Sequence, residues 1–178
     1  MNKYILFSIF TLFINCNKNE TKQIKAAVVS ARQEASDIGL NIIAKGGNAF
    51  DAMIATDLAL SVCYPNAGNI AGGGFLVYRT TDGKFGSLDY REKAPEQATR
   101  DMYLDSDGNV ISGKSTIGGL AVGIPGTIAG LYEIHKKFGT MPWKDLVQPA
   151  INLAKNGYKV TNKQKRSFDS KKEDFIKI

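Results

Sequence analysis

Pro65-Asn-Ala-Gly-Asn-Ile-Ala-Gly-Gly-Gly-Phe-Leu-Val-Tyr78 leads, through the turn Thr81-Asp-Gly83, to Asp89-Tyr-Arg-Glu-Lys-Ala-Pro95. The glycines at 72–74 let the backbone approach its neighbours closely and adopt angles that other residues resist. Phe75 to Arg79 reads as a strand, the Asp-Gly pair supplies hairpin chemistry, and Phe85 to Tyr90 pairs back. Ala94-Pro95 stops the second strand, because proline brings no N–H to a ladder. The second strand thus delivers a single arginine, Arg91, at its end.

Upstream, Ala26-Ala-Val-Val29 is a short buried-strand candidate, and Ser30 with Gln33 forms a capping-box pattern for a helix. That helix carries Ala31, Ala35, Ile38 and Ile42 on one face and ends at Gly46-Gly47. Asn48 and Asp51 repeat the capping pattern for a second helix, Ala49 to Tyr64, which is apolar nearly all round. Asp51, Asp57 and Pro65 leave it too short and too interrupted to cross a bilayer, so it reads as a central buried helix. Downstream of the hairpin, residues 96–117 are polar and turn-rich. Gly119 to Thr127 reads as a strand ending in a Pro-Gly turn, followed by helices from Thr127 to Phe138 and from Trp143 to Asn156. Residues 163–178 are charged, with no obvious terminal element. Helices flanking an antiparallel hairpin predict an α+β fold, and 26–178 reads as one domain.

At 178 residues, 43% apolar and 22% charged, the chain is long enough and apolar enough for one packed core. The net charge of +6 sits at the ends: residues 1–25 carry four Lys against one Glu, and 163–178 carry six cations against three acids. The body has thirteen of each sign, so it offers no basic face for nucleic acid. Lys3, the apolar run Tyr4 to Ile14 and Cys16 read as an export signal spanning 1–16. The cysteine resembles the lipidation position of bacterial lipoproteins, although Asn15 departs from the small residue expected before it; a plain signal peptide or an uncleaved anchor is the alternative. Residues 17–25 form a polar tether. Exported, periplasmic or membrane-anchored placement follows from this reading. Cys63 then has no disulfide partner and falls in a helical apolar run, where a buried inert thiol is expected.

The chemistry-bearing candidates are few. Arg91 offers a planar fork suited to bidentate binding of a carboxylate, and the competing reading is a local ion pair with Asp89 or Glu92. Gly72-Gly-Gly74 is neither a dinucleotide fingerprint nor a phosphate loop, and close backbone packing explains it better. Gly123-Ile-Pro-Gly-Thr127 likewise reads as a structural turn at a helix start. His135, the one histidine, sits beside Lys136 and Lys137 and is expected on the surface. No cofactor is called, no residue set has metal-ligand spacing, and no nucleophile–base pair is apparent.

Taken together, these elements resemble the γ-glutamyltransferase (glutathione hydrolase) family. Besides the glycine turn, Tyr90-Arg91-Glu92 and Ala94-Pro95, the resemblance includes Gly46-Gly-Asn-Ala-Phe-Asp51 and Ala98-Thr-Arg-Asp-Met-Tyr103. It continues through Gly123-Ile-Pro-Gly-Thr127 and Phe138-Gly-Thr-Met-Pro142, covering about Ala27 to Val160. The resemblance implies an N-terminal-nucleophile hydrolase of αββα layers, of which 26–178 is an incomplete part of the large subunit. It implies that Arg91 holds the substrate's α-carboxylate and that the γ-glutamyl group of glutathione passes to a threonine, then to water or an amino acid. That threonine would belong to a small subunit cut from the same precursor; Thr80-Thr81 lacks its context and reads as turn material. Catalytic residues are therefore expected outside this sequence. A non-catalytic carboxylate-binding relative and an inert gene fragment are the other two readings.

Overall fold

The computed structural model describes residues 26–177, so the export signal, the tether and Cys16 lie outside the described residues. Its helices are α1 (Gln33–Ala44), α2 (Ala49–Cys63), α3 (Thr127–Phe138), α4 (Trp143–Asn156) and α5 (Asn162–Ile176). Strands β1 (Phe75–Arg79) and β2 (Phe85–Asp89) form an antiparallel hairpin, and a short 3₁₀ turn spans Gly119–Ala121.

The fold is organised around α2, against which α1, α3 and α4 all pack. Its start is fixed by a true capping box. The Asn48 side chain accepts from the Phe50 and Asp51 N–H groups, while Asp51 Oδ2 accepts from the Asn48 N–H at 3.0 Å. Ile54, Leu58, Ile42, Leu131, Ile134 and Leu146 close around it as the core. Each is at most 6% exposed, the burial expected of a helix apolar on every side. Asp51 is also fully buried and does a second job. Its carboxylate accepts from the Thr140 hydroxyl at 2.6 Å, the Thr140 N–H at 3.1 Å and the Met141 N–H at 3.4 Å. One side chain thereby starts α2 and holds the loop between α3 and α4. Burial pushes its pKa up, but these donors outweigh burial and leave it below the ordinary range.

In the hairpin, Phe75 faces Asp89, Val77 faces Ser87 and Arg79 faces Phe85. Leu76 and Leu88 turn inward onto the helical core, while Phe75, Val77 and Phe85 are 66–82% exposed on the other face. Gly83 closes the turn at φ +86°, a conformation glycine adopts without strain.

Four expectations change. Residues 26–29 form no strand, and Val29 is 92% exposed. A strand needs a neighbour to satisfy its backbone, and none pairs here among the described residues. Ser30 does not cap α1; Arg32 precedes the helix, and the Ser30 hydroxyl turns to the Arg32 carbonyl and to Ser36. The predicted 119–127 strand reduces to the 3₁₀ turn and a single bridge between Ile124 and Lys93. Finally, the charged tail contains α5, whose start is a capping box between Thr161 and Gln164. Gln164 is 5% exposed, accepts from Arg32 Nη1 at 2.6 Å and donates to the Cys63 carbonyl at 2.8 Å, docking α5 on both α1 and α2.

Candidate functional site

Arg91 stands two residues past the last hairpin rung, Phe75 opposite Asp89. The Tyr90 N–H still donates to the Gly74 carbonyl at 3.0 Å, and Asp89 Oδ1 accepts from the Arg91 N–H at 2.9 Å. Asp89 therefore holds the backbone of Arg91, not its guanidinium. Glu92 approaches Nε only to 4.0 Å, a loose exposed pair of little energetic weight. The guanidinium lies 5.8 Å from the centre of the Phe75 ring, and its side chain is 65% exposed. Neither local ion pair occupies the fork at hydrogen-bonding distance, which leaves its N–H donors available.

The glycines explain how the backbone at this corner is held. A methyl group on Gly73 would fall 2.6 Å from Arg91 Cα, and one on Gly74 would strike the Tyr90 ring at 2.7 Å. From the opposite side, a methyl on Gly126 would lie 2.0 Å from the Tyr90 carbonyl oxygen, and one on Gly130 would overlap the same ring. Gly72 joins the two sides, its carbonyl accepting the N–H of Gly126 at 2.7 Å and of Thr127 at 3.0 Å. Both glycine motifs are thus scaffold, as their sequences suggest, but they are scaffold for one specific pair, Tyr90-Arg91.

Beside the arginine, Phe75 and Tyr90 also line a cleft of about 450 Å³ whose wall includes Met53, Thr56 and Asp57. Asp57 has no hydrogen-bond or ion-pair partner among the described residues, and burial raises its carboxyl pKa. Burial also raises the Tyr90 hydroxyl, with the Asp57 charge as a lesser cause. Sequence reading passed over Asp57 as an interruption of an apolar helix. The signal available was a carboxylate in the middle of a helix that is otherwise mostly apolar.

The other candidates resolve simply. His135 is not a solvated surface residue: its ring packs edge-on to Trp143 at 5.3 Å, and Nε2 lies 2.8 Å from the Met141 carbonyl. Cys63 is fully buried, with its thiol pKa raised chiefly by that burial, which fits an inert thiol. Thr80 sits in the hairpin turn, bonded to Asp82 and to the Lys84 carbonyl. Among the described residues, no cluster of three or more His, Cys, Asp or Glu is arranged to hold a metal, and no helix is long and apolar enough to cross a membrane.

The family model described as Gamma-glutamyltranspeptidase matches residues 35–177, which include the helical core, the hairpin, Arg91 and α5. The chain belongs to that family. As a gamma-glutamyltranspeptidase relative it is 52% identical over 131 residues to a glutathione hydrolase proenzyme of Pseudomonas sp. (strain A14), covering 74% of this chain and 23% of that protein. The Escherichia coli (strain K12) glutathione hydrolase proenzyme is 47% identical over 135 residues, covering 76% and 23%. The Helicobacter pylori gamma-glutamyltranspeptidase structure superimposes with a TM-score of 0.84 at 44% identity, covering 88% of this chain and 45% of that one. The enzyme from Pseudomonas nitroreducens complexed with L-DON gives 0.78 at 44% identity, covering 83% and 44%. The chain therefore spans about a quarter of the length of these curated relatives. At these identities the likeness extends to the mixed fold of helices with a small sheet.

Proposed function

We propose that this chain supplies the carboxylate-gripping part of a glutathione hydrolase or γ-glutamyltransferase. The carrying observation is Arg91: an open, rigid fork at a strand end, bedded on glycines, in a member of the gamma-glutamyltranspeptidase family. Two parallel N–H···O bonds from such a fork select a planar carboxylate, and the α-carboxylate of a γ-glutamyl compound such as glutathione presents one. The proposal includes the αββα layering of an N-terminal-nucleophile hydrolase, with residues 26–178 as part of the large-subunit domain. The relatives' names describe proenzymes, which suits a precursor that is cut to release a new N-terminal threonine.

In the reaction proposed for the whole enzyme, the threonine hydroxyl adds to the γ-glutamyl amide carbonyl while its own α-amine takes the proton. The tetrahedral adduct collapses, breaking the C–N bond, and the leaving amine takes the proton, so cysteinylglycine departs from glutathione. Water or an amino acid amine then attacks the ester, releasing glutamate or a new γ-glutamyl amide and returning the hydroxyl proton. This chain's part is to fix the glutamyl end by its carboxylate, so that the γ-carbonyl is presented at a set distance. The nucleophile and the rest of the pocket are assigned to the small subunit. Export through the 1–16 signal, lipid attachment at Cys16 and a tether over 17–25 complete the proposal and put the site outside the cytoplasm.

Calorimetry of the 178-residue chain with L-glutamate tests the carboxylate site directly. Millimolar binding is expected, weakened at least tenfold by Arg91→Glu. No heat with millimolar glutamate, or equal binding by Arg91→Glu, refutes the role. A γ-glutamyl-anilide assay on the same sample is expected to show no turnover, and turnover would overturn the assignment of the nucleophile elsewhere.

A further inference from the structure

The hinge of the candidate site is a pair of side chains 58 residues apart in sequence, Asn69 and Thr127. Asn69 Oδ1 accepts from the Thr127 hydroxyl at 2.7 Å and from the Gly72 N–H at 2.8 Å. Thr127, the first residue of α3, is 3% exposed and Asn69 is half-buried, so this bond is partly shielded from water. Its backbone N–H donates in turn to the Gly72 carbonyl at 3.0 Å. Asn69, Gly72 and Thr127 therefore form a closed triangle of hydrogen bonds that rivets the glycine turn to the start of α3.

What lies between the riveted parts is the Tyr90-Arg91 backbone. Gly73 abuts Arg91 Cα on one side, and Gly126 abuts the Tyr90 and Arg91 carbonyls on the other. Both contacts are too close for a Cβ, so a small separation of the turn from α3 widens the slot that holds Arg91. We propose that Asn69 and Thr127 are positioning residues for Arg91: they set where its fork stands and hence how strongly it binds a carboxylate. This rests on the carboxylate-binding reading of Arg91. Neither residue touches the ligand; each acts through the backbone slot. Their chemistry suits the role, because an amide oxygen that receives two donors at once fixes both directions, whereas either bond alone would leave a hinge.

The test is a titration of the full chain followed by calorimetry and by NMR of the Arg91 backbone N–H and side-chain Nε–Hε groups. Thr127→Val keeps the shape of the side chain and removes its donor; Thr127→Ser keeps the donor. Gln164→Ala, which loosens α5 where it docks on Arg32 and Cys63, serves as the comparison for a purely structural loss. Thr127→Val is expected to weaken glutamate binding about tenfold and to shift the Arg91 Nε–Hε signal, since misplacing a binding group by a fraction of an ångström is costly. Thr127→Ser should restore both, and Gln164→Ala should change neither. Unmoved Arg91 signals with unchanged affinity in Thr127→Val overturn the proposal, as do equal changes in Gln164→Ala. If the parent chain binds no glutamate, the carboxylate reading fails by itself, and the Arg91 signal alone still decides whether the rivet positions the fork. Asn69→Ser, which withdraws the shared acceptor, provides the same readouts should Thr127→Val fail to fold.

Discussion

Replacing Asp51 tests whether one buried carboxylate joins the start of α2 to the α3–α4 loop. Asp51→Ala removes the acceptor for the Asn48 N–H, the Thr140 hydroxyl and the Thr140 N–H at 2.6–3.1 Å, with Met141 as a weaker fourth donor. A helix cap alone contributes about 1 kcal/mol. Hydrogen bonds to a charged group add about 1.5–3 kcal/mol each, and they are not additive because all share one carboxylate. Thr140 lies toward solvent, so some orphaned donors regain water. The expected loss is about 3–5 kcal/mol, comparable with stripping one partner from a buried charge. For a chain of this size that lowers the melting temperature by roughly 10 °C or more. Asp51→Asn, which keeps one acceptor but turns an NH₂ toward donors, should lose about 2 kcal/mol. The pH dependence separates charge from shape. The folded pKa lies below the ordinary 3.8, so ionised Asp51 stabilises the fold above that value, and the gain fades as pH falls through the folded pKa. Urea titrations followed by circular dichroism from pH 7 down to pH 2 should show the parent converging on Asp51→Asn in acid. A gap between the two that is constant with pH, or an Asp51→Ala loss under about 1 kcal/mol, would refute the clamp.

Asp57 has the opposite sign. Its pKa is raised by burial, so the unionised form fits the fold and stability falls as pH rises from the ordinary carboxylate range through the folded pKa. Asp57→Asn should therefore stabilise the chain at pH 7 by on the order of 1 kcal/mol and lose that advantage below about pH 4, as measured by thermal melts. Gln164→Ala should release α5, at a cost of about 1–3 kcal/mol for the buried groups left unpaired. Hydrogen exchange would then rise across residues 162–176 while α2 stays protected. Gly126→Ala places a methyl 2.0 Å from the Tyr90 carbonyl oxygen. About 1–3 kcal/mol of destabilisation is expected by denaturant titration, and a neutral result would show the slot to be compliant.

The parts of this fold legible in sequence are those set by neighbours along the chain. Asn48 with Asp51, the Asp-Gly turn and the glycine after α4 each act within a few residues, and each appears where its chemistry points. The failures depend on distant partners. Ser30 has the right spacing to cap α1, but the Ser36 hydroxyl competes for it, and Gln33 turns to Asp37 instead. Whether 26–29 or 119–127 becomes a strand depends on a pairing neighbour that no local pattern reveals. α5 hid behind its charge, although Thr161 and Gln164 spell the same capping pattern as the earlier helices. Its docking depends on Arg32, 132 positions from Gln164, and no local pattern announces that contact. Arg91 was visible because a strand end, a proline stop and a single arginine coincide. Its support was not, since Gly126 and Thr127 come from a motif that reads locally as nothing more than a turn.

The geometry around Arg91 also bears on whether the proposed carboxylate grip can act apart from the proposed reaction. The fork stands over Phe75, a ring that is itself 66% exposed. A glutamyl carboxylate there would meet one cation and one apolar wall, while its γ-carbonyl would remain in water. An acyl–threonine ester left in that setting has no walls to choose between water and an amine as its acceptor. The proposed reaction therefore needs further surfaces laid over this face, and the exposed Phe75 ring beneath Arg91 suits burial better than exposure. On this reasoning binding of free glutamate by the chain should be weak and depend on Arg91, and the affinity and selectivity of the whole enzyme should arise only when that face is covered.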